Sequence, residues 1–127
     1  AVRSALEEGI LSGAGKSLYE ISFDELLSGV GSEEHSVACK IFKTALQEPL
    51  TQILRNAGLS VESIYNGEEA NGFGYNLKTM EMGDLISMGV IDPLKVTRSA
   101  LQNAVSVATT ILSTNAIVTM ARTYESQ

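Results

Sequence analysis

The chain has 127 residues, 44% of them hydrophobic, with a formal net charge of −6 and a sequence pI of about 4.7. This acidic balance argues against non-specific binding to nucleic acid or to an anionic membrane, because both partners require clustered Lys and Arg. The single cysteine and the single histidine exclude an internal disulfide and a zinc site with ordinary ligand spacing.

The first predicted elements are helices on either side of a glycine turn. Val2, Leu6 and Ile10 repeat at helical spacing, which predicts a helix over residues 2–11. The pattern is already running at residue 2 without an N-cap, so we expect the chain to begin inside a helix of a longer protein. After the turn at 12–15, residues 16–28 are predicted helical, with a second start at Ser22.

The clearest predicted helix begins after Ser32, a good N-cap, and its apolar stripe continues to Ala57. Pro49 lies inside this pattern and predicts a kink, and the C-cap is expected at Gly58. Cys39 is expected to be a buried, inert thiol on the apolar face. His35, near the start of this helix, is expected to be solvated.

A β-hairpin is predicted after a short helical turn at 60–66 and a polar loop at 67–71. Residues 73–76 and 79–82 form its arms, joined by a tight turn at Leu77-Lys78. A short helix is predicted around 83–88. Asp92 and Pro93 then fit the N-cap and the first position of a long helix that ends near Thr114.

The last predicted element is a β-strand over residues 116–120, followed by a tail at 121–127. Its edges are open unless it pairs with the hairpin, and open edges favour pairing with another chain. The predicted fold class is therefore mainly α: a helical bundle with a small β-hairpin and a C-terminal strand. No signal-peptide pattern and no apolar run of membrane-spanning length were found, so we expect a soluble intracellular protein.

Two motifs have both a structural and a functional interpretation. Gly13-Ala-Gly-Lys-Ser17 resembles the end of a phosphate-binding P-loop, but Ile10 stands where that motif requires glycine, and a helix is predicted where it requires a strand. The alternatives are a plain helix–helix turn and a backbone that approaches a ligand closely. Asp92 can cap its helix and still offer an oxygen to a ligand hydroxyl.

No catalytic or metal-binding residue is predicted from the patterns. Glu7 and Glu8 are adjacent on a helix and point in different directions, so they do not suit a catalytic dyad. Two classes of protein remain open from the residues alone. One is a nucleotide-binding module, and the other is a free-standing acidic helical interaction or scaffold module.

Three segments together resemble the group I chaperonins, the GroEL-type family. They are Glu7-Glu-Gly-Ile-Leu-Ser-Gly-Ala-Gly15, Gly74-Tyr-Asn76, and Met88-Gly-Val-Ile-Asp-Pro-Leu-Lys-Val-Thr-Arg-Ser-Ala-Leu-Gln102, and the last is the most specific. The resemblance implies an ATP-driven protein-folding machine of stacked rings. It assigns residues 1–11 to the end of an intermediate-domain helix, 12–120 to the C-terminal half of the equatorial ATP-binding domain, and 121–127 to a tail.

The resemblance also implies a nucleoside site. In the family, the glycine turn lies against the ribose, the hairpin and Val90 face the adenine, and the aspartate before the long helix accepts hydrogen bonds from the ribose hydroxyls. The residues carried over are Gly13, Ala14, Gly15, Tyr75, Asn76, Leu77, Lys78, Val90 and Asp92. Ala14 stands where the family usually has glycine, and Lys16 and Lys78 stand where small residues are usual, so the chain resembles a divergent member of the family.

The expected cofactor of the parent protein is ATP or ADP with Mg²⁺. In the family, the phosphate loop, the Mg²⁺ ligands and the aspartate that positions water lie in segments outside these 127 residues. We therefore expect the chain alone to be inactive as an ATPase, although the resemblance implies that its parent protein is a chaperonin ATPase. The implied partners are other subunits of a homo-oligomeric ring, a co-chaperonin and unfolded proteins, in a bacterial cytoplasm or an organelle of bacterial origin.

Overall fold

A computed structural model describes residues 1–21 and 32–114 of the chain, and this part is mainly helical, as predicted. Helix α1 is Val2–Glu8, strand β1 is Ile10–Ser12, and the short helix α2 is Lys16–Tyr19. Helix α3 is Glu33–Asn56, and one further turn, α4, is Val61–Ile64. Strands β2 (Phe73–Asn76), β3 (Glu81–Asp84) and β4 (Ile91–Pro93) precede the long helix α5, Leu94–Leu112.

Helix α3 forms where the sequence predicts it. The Ser32 side chain accepts a hydrogen bond from His35 N at 3.2 Å, and two glutamates in the first turn favour the positive end of the helix dipole. The helix continues through Pro49 and ends at Asn56. Its C-cap is Ala57, with Gly58 following at a φ of +77°, so the predicted cap position was one residue too late.

The core lies where α3 meets the segments on either side of it. Leu50, Leu54 and Tyr65 form the buried cluster, and six half-buried apolar residues pack around it: Tyr19, Leu59, Val61, Ile64, Tyr75 and Leu77. Leu50 and Leu54 are one helical turn apart, so both point from α3 into this cluster. The core therefore joins α2, α3, α4 and the hairpin.

The hairpin exists, but its turn is longer than predicted. Strand β2 pairs antiparallel with β3, and Phe73 lies opposite Asp84 and Asn76 opposite Glu81. The second arm begins at Glu81 rather than Thr79, so a four-residue loop, 77–80, replaces the tight turn at Leu77-Lys78. Asn76 Oδ1 accepts a hydrogen bond from Lys78 N at 3.0 Å, and Met80 adopts a φ of +59° to complete the loop.

A second two-stranded sheet was not predicted. Strand β1 pairs antiparallel with β4, with Ile10 opposite Pro93 and Ser12 opposite Ile91. The predicted helix over 2–11 was therefore wrong beyond Glu8, because Gly9, at a φ of +93°, turns the chain into the strand. Leu94 N donates to Gly9 O at 3.0 Å at the other end of the pairing.

The start of α5 also differs from the prediction. Asp92 lies within strand β4, Pro93 is the N-cap residue of α5, and no side chain caps this helix end. The prediction that Asp92 caps the helix was wrong, because pairing with Leu11 holds Asp92 in the extended strand. Residues 85–89 form turns rather than the predicted short helix.

Some predicted elements lie partly or wholly outside the described residues. Helix α2 ends at Tyr19, and the rest of the predicted 16–28 helix from Ser22 onward falls in the undescribed range 22–31. The strand at 116–120 and the tail at 121–127 also lie outside the described residues. None of the helices within 1–21 and 32–114 combines the length and the apolar character that crossing a bilayer requires.

Candidate functional site

The glycine turn is held against two other segments by close backbone packing. Gly13 N donates to Val90 O at 2.8 Å, and a Cβ on Gly13 would lie 3.0 Å from Ile91 N. A Cβ on Gly15 would lie 2.8 Å from Leu50 N, closer than real Cβ contacts allow. Gly15 therefore requires glycine, Gly13 is tightly packed, and the turn is held between α3 and the segment that leads into β4.

Ala14 and Gly15 both have left-handed backbone torsions, with φ values of +57° and +75°. Such a torsion costs a non-glycine residue about 1–2 kcal/mol. Ala14 therefore carries strain that a glycine at this position would not. The two left-handed residues reverse the chain between β1 and α2.

A cavity of about 380 Å³ opens beside this turn. Its lining comes from β1, the turn, α2, α3, β4 and α5, and the residues are Ser12, Ala14, Gly15, Ser17, Leu18, Pro49, Ile53, Asp92, Val96, Thr97 and Ala100. Three of the residues predicted from the resemblance, Ala14, Gly15 and Asp92, therefore share one concave surface. The β1–β4 sheet brings them together although they are distant in the chain.

Asp92 is half-buried at this cavity, and only its backbone takes part in strand β4. It caps no helix, and within residues 1–21 and 32–114 no hydrogen bond or ion pair engages its carboxylate. A carboxylate offers two acceptor oxygens and no donor when ionised. It is thus available to a ligand that presents hydroxyl or amine donors.

The remaining predicted residues lie beside the cavity or on the hairpin rather than in its lining. Val90 adjoins it through the bond to Gly13. Tyr75 and Leu77 pack on the core cluster, Asn76 is buried, and Lys78 is exposed. The cavity alone therefore unites only part of the predicted nucleoside site.

Contacts near Ser12 bring the start of the hairpin towards the cavity. A Cβ on Gly72, immediately before β2, would lie 3.5 Å from Ser12 Oγ, and Ser12 lines the cavity. Ser12 O also accepts a hydrogen bond from Ser17 Oγ at 2.8 Å. Ser12 therefore contacts both the cavity and the segment that leads into the hairpin.

Lys16, which looks like a phosphate-binding lysine in the sequence, has another role in the structure. Only 4% of it is exposed, and its ammonium forms an ion pair with Glu20 Oε1 at 2.9 Å. The same ammonium lies 5.2 Å from the ring centroid of Tyr65 and 5.6 Å from that of Tyr19. We call Lys16, Tyr19, Glu20 and Tyr65 the Lys16 cluster.

The P-loop interpretation fails on spacing alone. A strand does precede the turn, contrary to the prediction, but β1 is a three-residue antiparallel strand and Ile10 still replaces the required glycine. The buried ion pair of Lys16 is a further difference from a lysine that reaches a phosphate.

The other residues considered for chemistry in the sequence make contacts within the protein. Glu7 pairs with Lys95 and Glu8 pairs with Arg98, the latter at 2.6 Å, so these carboxylates join α1 to α5. The hydrogen bond from Lys95 holds the pKa of Glu7 below its ordinary value. Cys39 is half-buried rather than buried, and its Sγ lies 3.6 Å from Nε2 of a half-buried His35, which was predicted to be solvated.

Sequence reasoning missed most of the apolar wall of the cavity. Pro49, Ile53, Val96 and Ala100 belong to the predicted helices, but which of their faces meet depends on the β1–β4 pairing. A usable signal was present in α5, where Val96 and Ala100 stand one turn apart on the same side. No group of three His, Cys, Asp or Glu residues that could hold a metal occurs within the described ranges.

The class of protein follows from comparison of the whole sequence with family models. The model of the TCP-1/cpn60 chaperonin family matches residues 1–122. The chain therefore belongs to the TCP-1/cpn60 chaperonin family. Members of this family generally form oligomeric rings and bind unfolded proteins. The match does not favour the alternative of a free-standing interaction module.

Proposed function

We propose that the chain supplies the nucleoside side of an ATP pocket in the equatorial domain of a group I chaperonin subunit. The observation that carries this proposal is the cavity of about 380 Å³ that Ala14, Gly15 and Asp92 line together. Its volume lies within the range of about 300–1,000 Å³ that is usual for small-molecule sites. Family membership supports the same assignment.

The chemistry of the lining suits a sugar with neighbouring hydroxyls. The carboxylate of Asp92, which no described residue engages, has the two acceptor oxygens that the vicinal hydroxyls of ribose require. The backbone at Ala14 and Gly15 lets a ligand approach closely, and Ile53 and Val96 provide apolar contact. We assign the adenine to the side of Val90 and the hairpin, with Asn76 and its neighbours Tyr75, Leu77 and Lys78 as its wall.

Phosphate transfer is not assigned to this chain. The described residues offer no three-residue group for Mg²⁺, so no step through the metal is derived. Phosphoryl transfer depends on positioning and on stabilising charge at the phosphates. We therefore expect adenosine, ADP and ATP to bind with similar affinity and ATP to remain unhydrolysed by the 127-residue chain.

The experiment is a titration of the isotope-labelled chain with adenosine, followed by NMR. We expect shifts at Gly13–Gly15 and at Asp92. The Asp92→Asn substitution should weaken adenosine binding by about tenfold or more, because a hydrogen bond to a charged acceptor contributes about 1.5 kcal/mol or more. Glu62→Gln removes the same charge from a surface that does not line this cavity and should leave the affinity unchanged.

The ligand supplies a second control. 2′,3′-Dideoxyadenosine lacks both hydroxyls, so its affinity should be weaker than that of adenosine and insensitive to Asp92→Asn. A chain that shows no adenosine-dependent shift at the glycine turn at millimolar ligand contradicts the proposal. If Asp92→Asn weakens the binding of adenosine and of 2′,3′-dideoxyadenosine equally, the role given to the carboxylate is contradicted.

The proposed setting follows from the resemblance and the family. We propose that the parent subunit assembles with copies of itself into a ring, works with a co-chaperonin on unfolded proteins, and resides in a bacterial cytoplasm or an organelle of bacterial origin. Ring formation and substrate binding are general family properties, and they support the first part of this proposal.

A further inference from the structure

The Lys16 cluster places a charged side chain almost completely inside the protein. Burying an ammonium is costly unless it is paired, and here the pairing comes from the Glu20 carboxylate and two tyrosine rings. Tyr19 and Tyr65 stack with their centroids 6.4 Å apart. The Lys16 ammonium is thus paired within the protein, at the edge of the apolar core.

The same cluster binds the backbone of the hairpin at two points. Glu20 Oε1 accepts a hydrogen bond from Gly72 N at 2.7 Å, directly before β2. The Tyr65 hydroxyl accepts one from Tyr75 N at 2.9 Å, within β2. Hydrogen bonds to an ionised acceptor are stronger than neutral ones, so the Glu20 bond is the firmer of the two.

The two ends of this network lie next to the two groups of proposed ligand-binding residues. Lys16 directly follows Gly15 of the glycine turn, and Tyr75 directly precedes Asn76 of the hairpin. The ion pair with Lys16 and the hydrogen bond from Gly72 N share one acceptor atom, Glu20 Oε1. A displacement of Glu20 is therefore transmitted to the hairpin through Gly72.

We infer that Lys16 and Glu20 are positioning residues: through Gly72 they set the hairpin relative to the glycine turn, and so determine the affinity for the nucleoside. This inference rests on the proposed function for its ligand. Its structural part, the hold on the hairpin, can be measured without any ligand.

The test compares two double variants that differ only in an acceptor for Gly72. Lys16→Met with Glu20→Gln removes both charges and keeps an amide oxygen at position 20. Lys16→Met with Glu20→Leu removes both charges and the acceptor. Replacing a buried ion pair with groups of similar size is often neutral for stability, so the Gln variant should keep a urea midpoint close to that of the original chain. The Leu variant should have a somewhat lower midpoint, because it also leaves Gly72 N without its acceptor.

The readouts are hydrogen exchange at the Gly72 amide and adenosine affinity, both by NMR on the 127-residue chain. The Gln variant should keep both within about twofold of the original chain. Under conditions where the Leu variant remains folded, it should lose Gly72 protection by about tenfold and bind adenosine about fivefold or more weakly. Its Asn76 resonance should shift without ligand.

Each result has one meaning. A Leu variant that retains Gly72 protection or the original affinity overturns the inference, and so does an affinity loss that simply follows a loss of stability. If the unmodified chain shows no adenosine binding, the proposed function fails, and the affinity part of the inference fails with it. Gly72 exchange then still decides whether the cluster holds the hairpin.

Discussion

Gly15 and Gly58 have nearly the same backbone torsion but very different surroundings. Their φ values are +75° and +77°, yet an added Cβ would meet Leu50 N at 2.8 Å in the first case and nothing within 4 Å in the second. The pair therefore separates the effect of torsional strain from that of close packing.

We predict that Gly58→Ala lowers the free energy of unfolding by about 1–2 kcal/mol, the cost of a left-handed torsion. Gly15→Ala should lower it by a further 1–3 kcal/mol or so, since helix α3 must shift to admit the methyl group. Urea unfolding measures both. Equal losses for the two variants would show that the turn does not press on α3.

The second residue-scale prediction concerns Tyr65 at alkaline pH. Burial raises the pKa of Tyr65 above its ordinary value of 10.0, and the hydrogen bond from Tyr75 N opposes this only partly. The unfolded chain then ionises Tyr65 at a lower pH than the folded chain does. The stability from this group is complete below pH 10 and is lost as pH rises through the higher pKa of the folded state.

Tyr65→Phe isolates that contribution. At neutral pH it should cost about 1–3 kcal/mol, because the half-buried Tyr75 N–H loses its acceptor. The difference in the free energy of unfolding between the two chains should shrink as pH rises above 10. Urea unfolding between pH 8 and 11 measures it, and a difference that stays constant would contradict the assignment.

At the scale of elements, the starts of α3 and α5 form a natural comparison. Ser32 accepts a hydrogen bond from His35 N and caps α3, whereas α5 begins at Pro93 without a side-chain cap. We predict that Ser32→Ala lowers the free energy of unfolding by about 1 kcal/mol. Asp92→Ala should change it by less than about 0.5 kcal/mol.

Both substitutions are read by urea unfolding. A loss of about 1 kcal/mol in Asp92→Ala would restore the capping role that the sequence predicted. A small loss of stability in Asp92→Ala, combined with weaker adenosine binding, would instead show that the Asp92 side chain serves ligand binding rather than stability.

Elements with long internal patterns could be predicted from the sequence, and the short ones could not. Helix α3 has an apolar stripe of several turns, and α5 has a similar one, so tertiary contacts were not needed to find them. Strands β1 and β4 have three residues each, too few to show alternation. Their pairing places Ile10 opposite Pro93, and no local sequence pattern predicts a partner so far away in the sequence.

The same limit applied to the site. The resemblance supplied the identities of Gly13, Asn76 and Asp92, and the structure shows Asp92 with Ala14 and Gly15 on one cavity. The burial of Lys16 was not predicted. Its spacing to Glu20 is that of a helical ion pair, but such pairs are usually exposed, so nothing in the sequence distinguished this one.

At the scale of the molecule, large apolar side chains remain on the surface. Leu6, Ile41 and Leu112 are 84%, 67% and 85% exposed, and no residue of α5 is buried. Exposed large apolar side chains on several helices suit contact with other protein. This agrees with membership of a family that generally assembles into rings.

We predict that the 127-residue chain self-associates as its concentration rises from about 10 μM to about 1 mM, because association removes apolar surface from water. Sedimentation velocity measures it. Ile41→Gln with Leu112→Gln should shift association to higher concentration, whereas Lys43→Gln, a change at an exposed polar residue, should not. Identical behaviour of all three chains would place the contact elsewhere.

The pairing of β1 with β4 has a consequence for the order of biosynthesis. A ribosome releases Ile10 long before Pro93, so the first strand must wait without its partner until most of this segment has been translated. During that interval Gly13 N lacks its acceptor, Val90 O, and the cavity lacks the residues that β4 and α5 contribute to its lining. A nascent chain halted before residue 90 should therefore bind chaperones more strongly than the complete 127-residue chain.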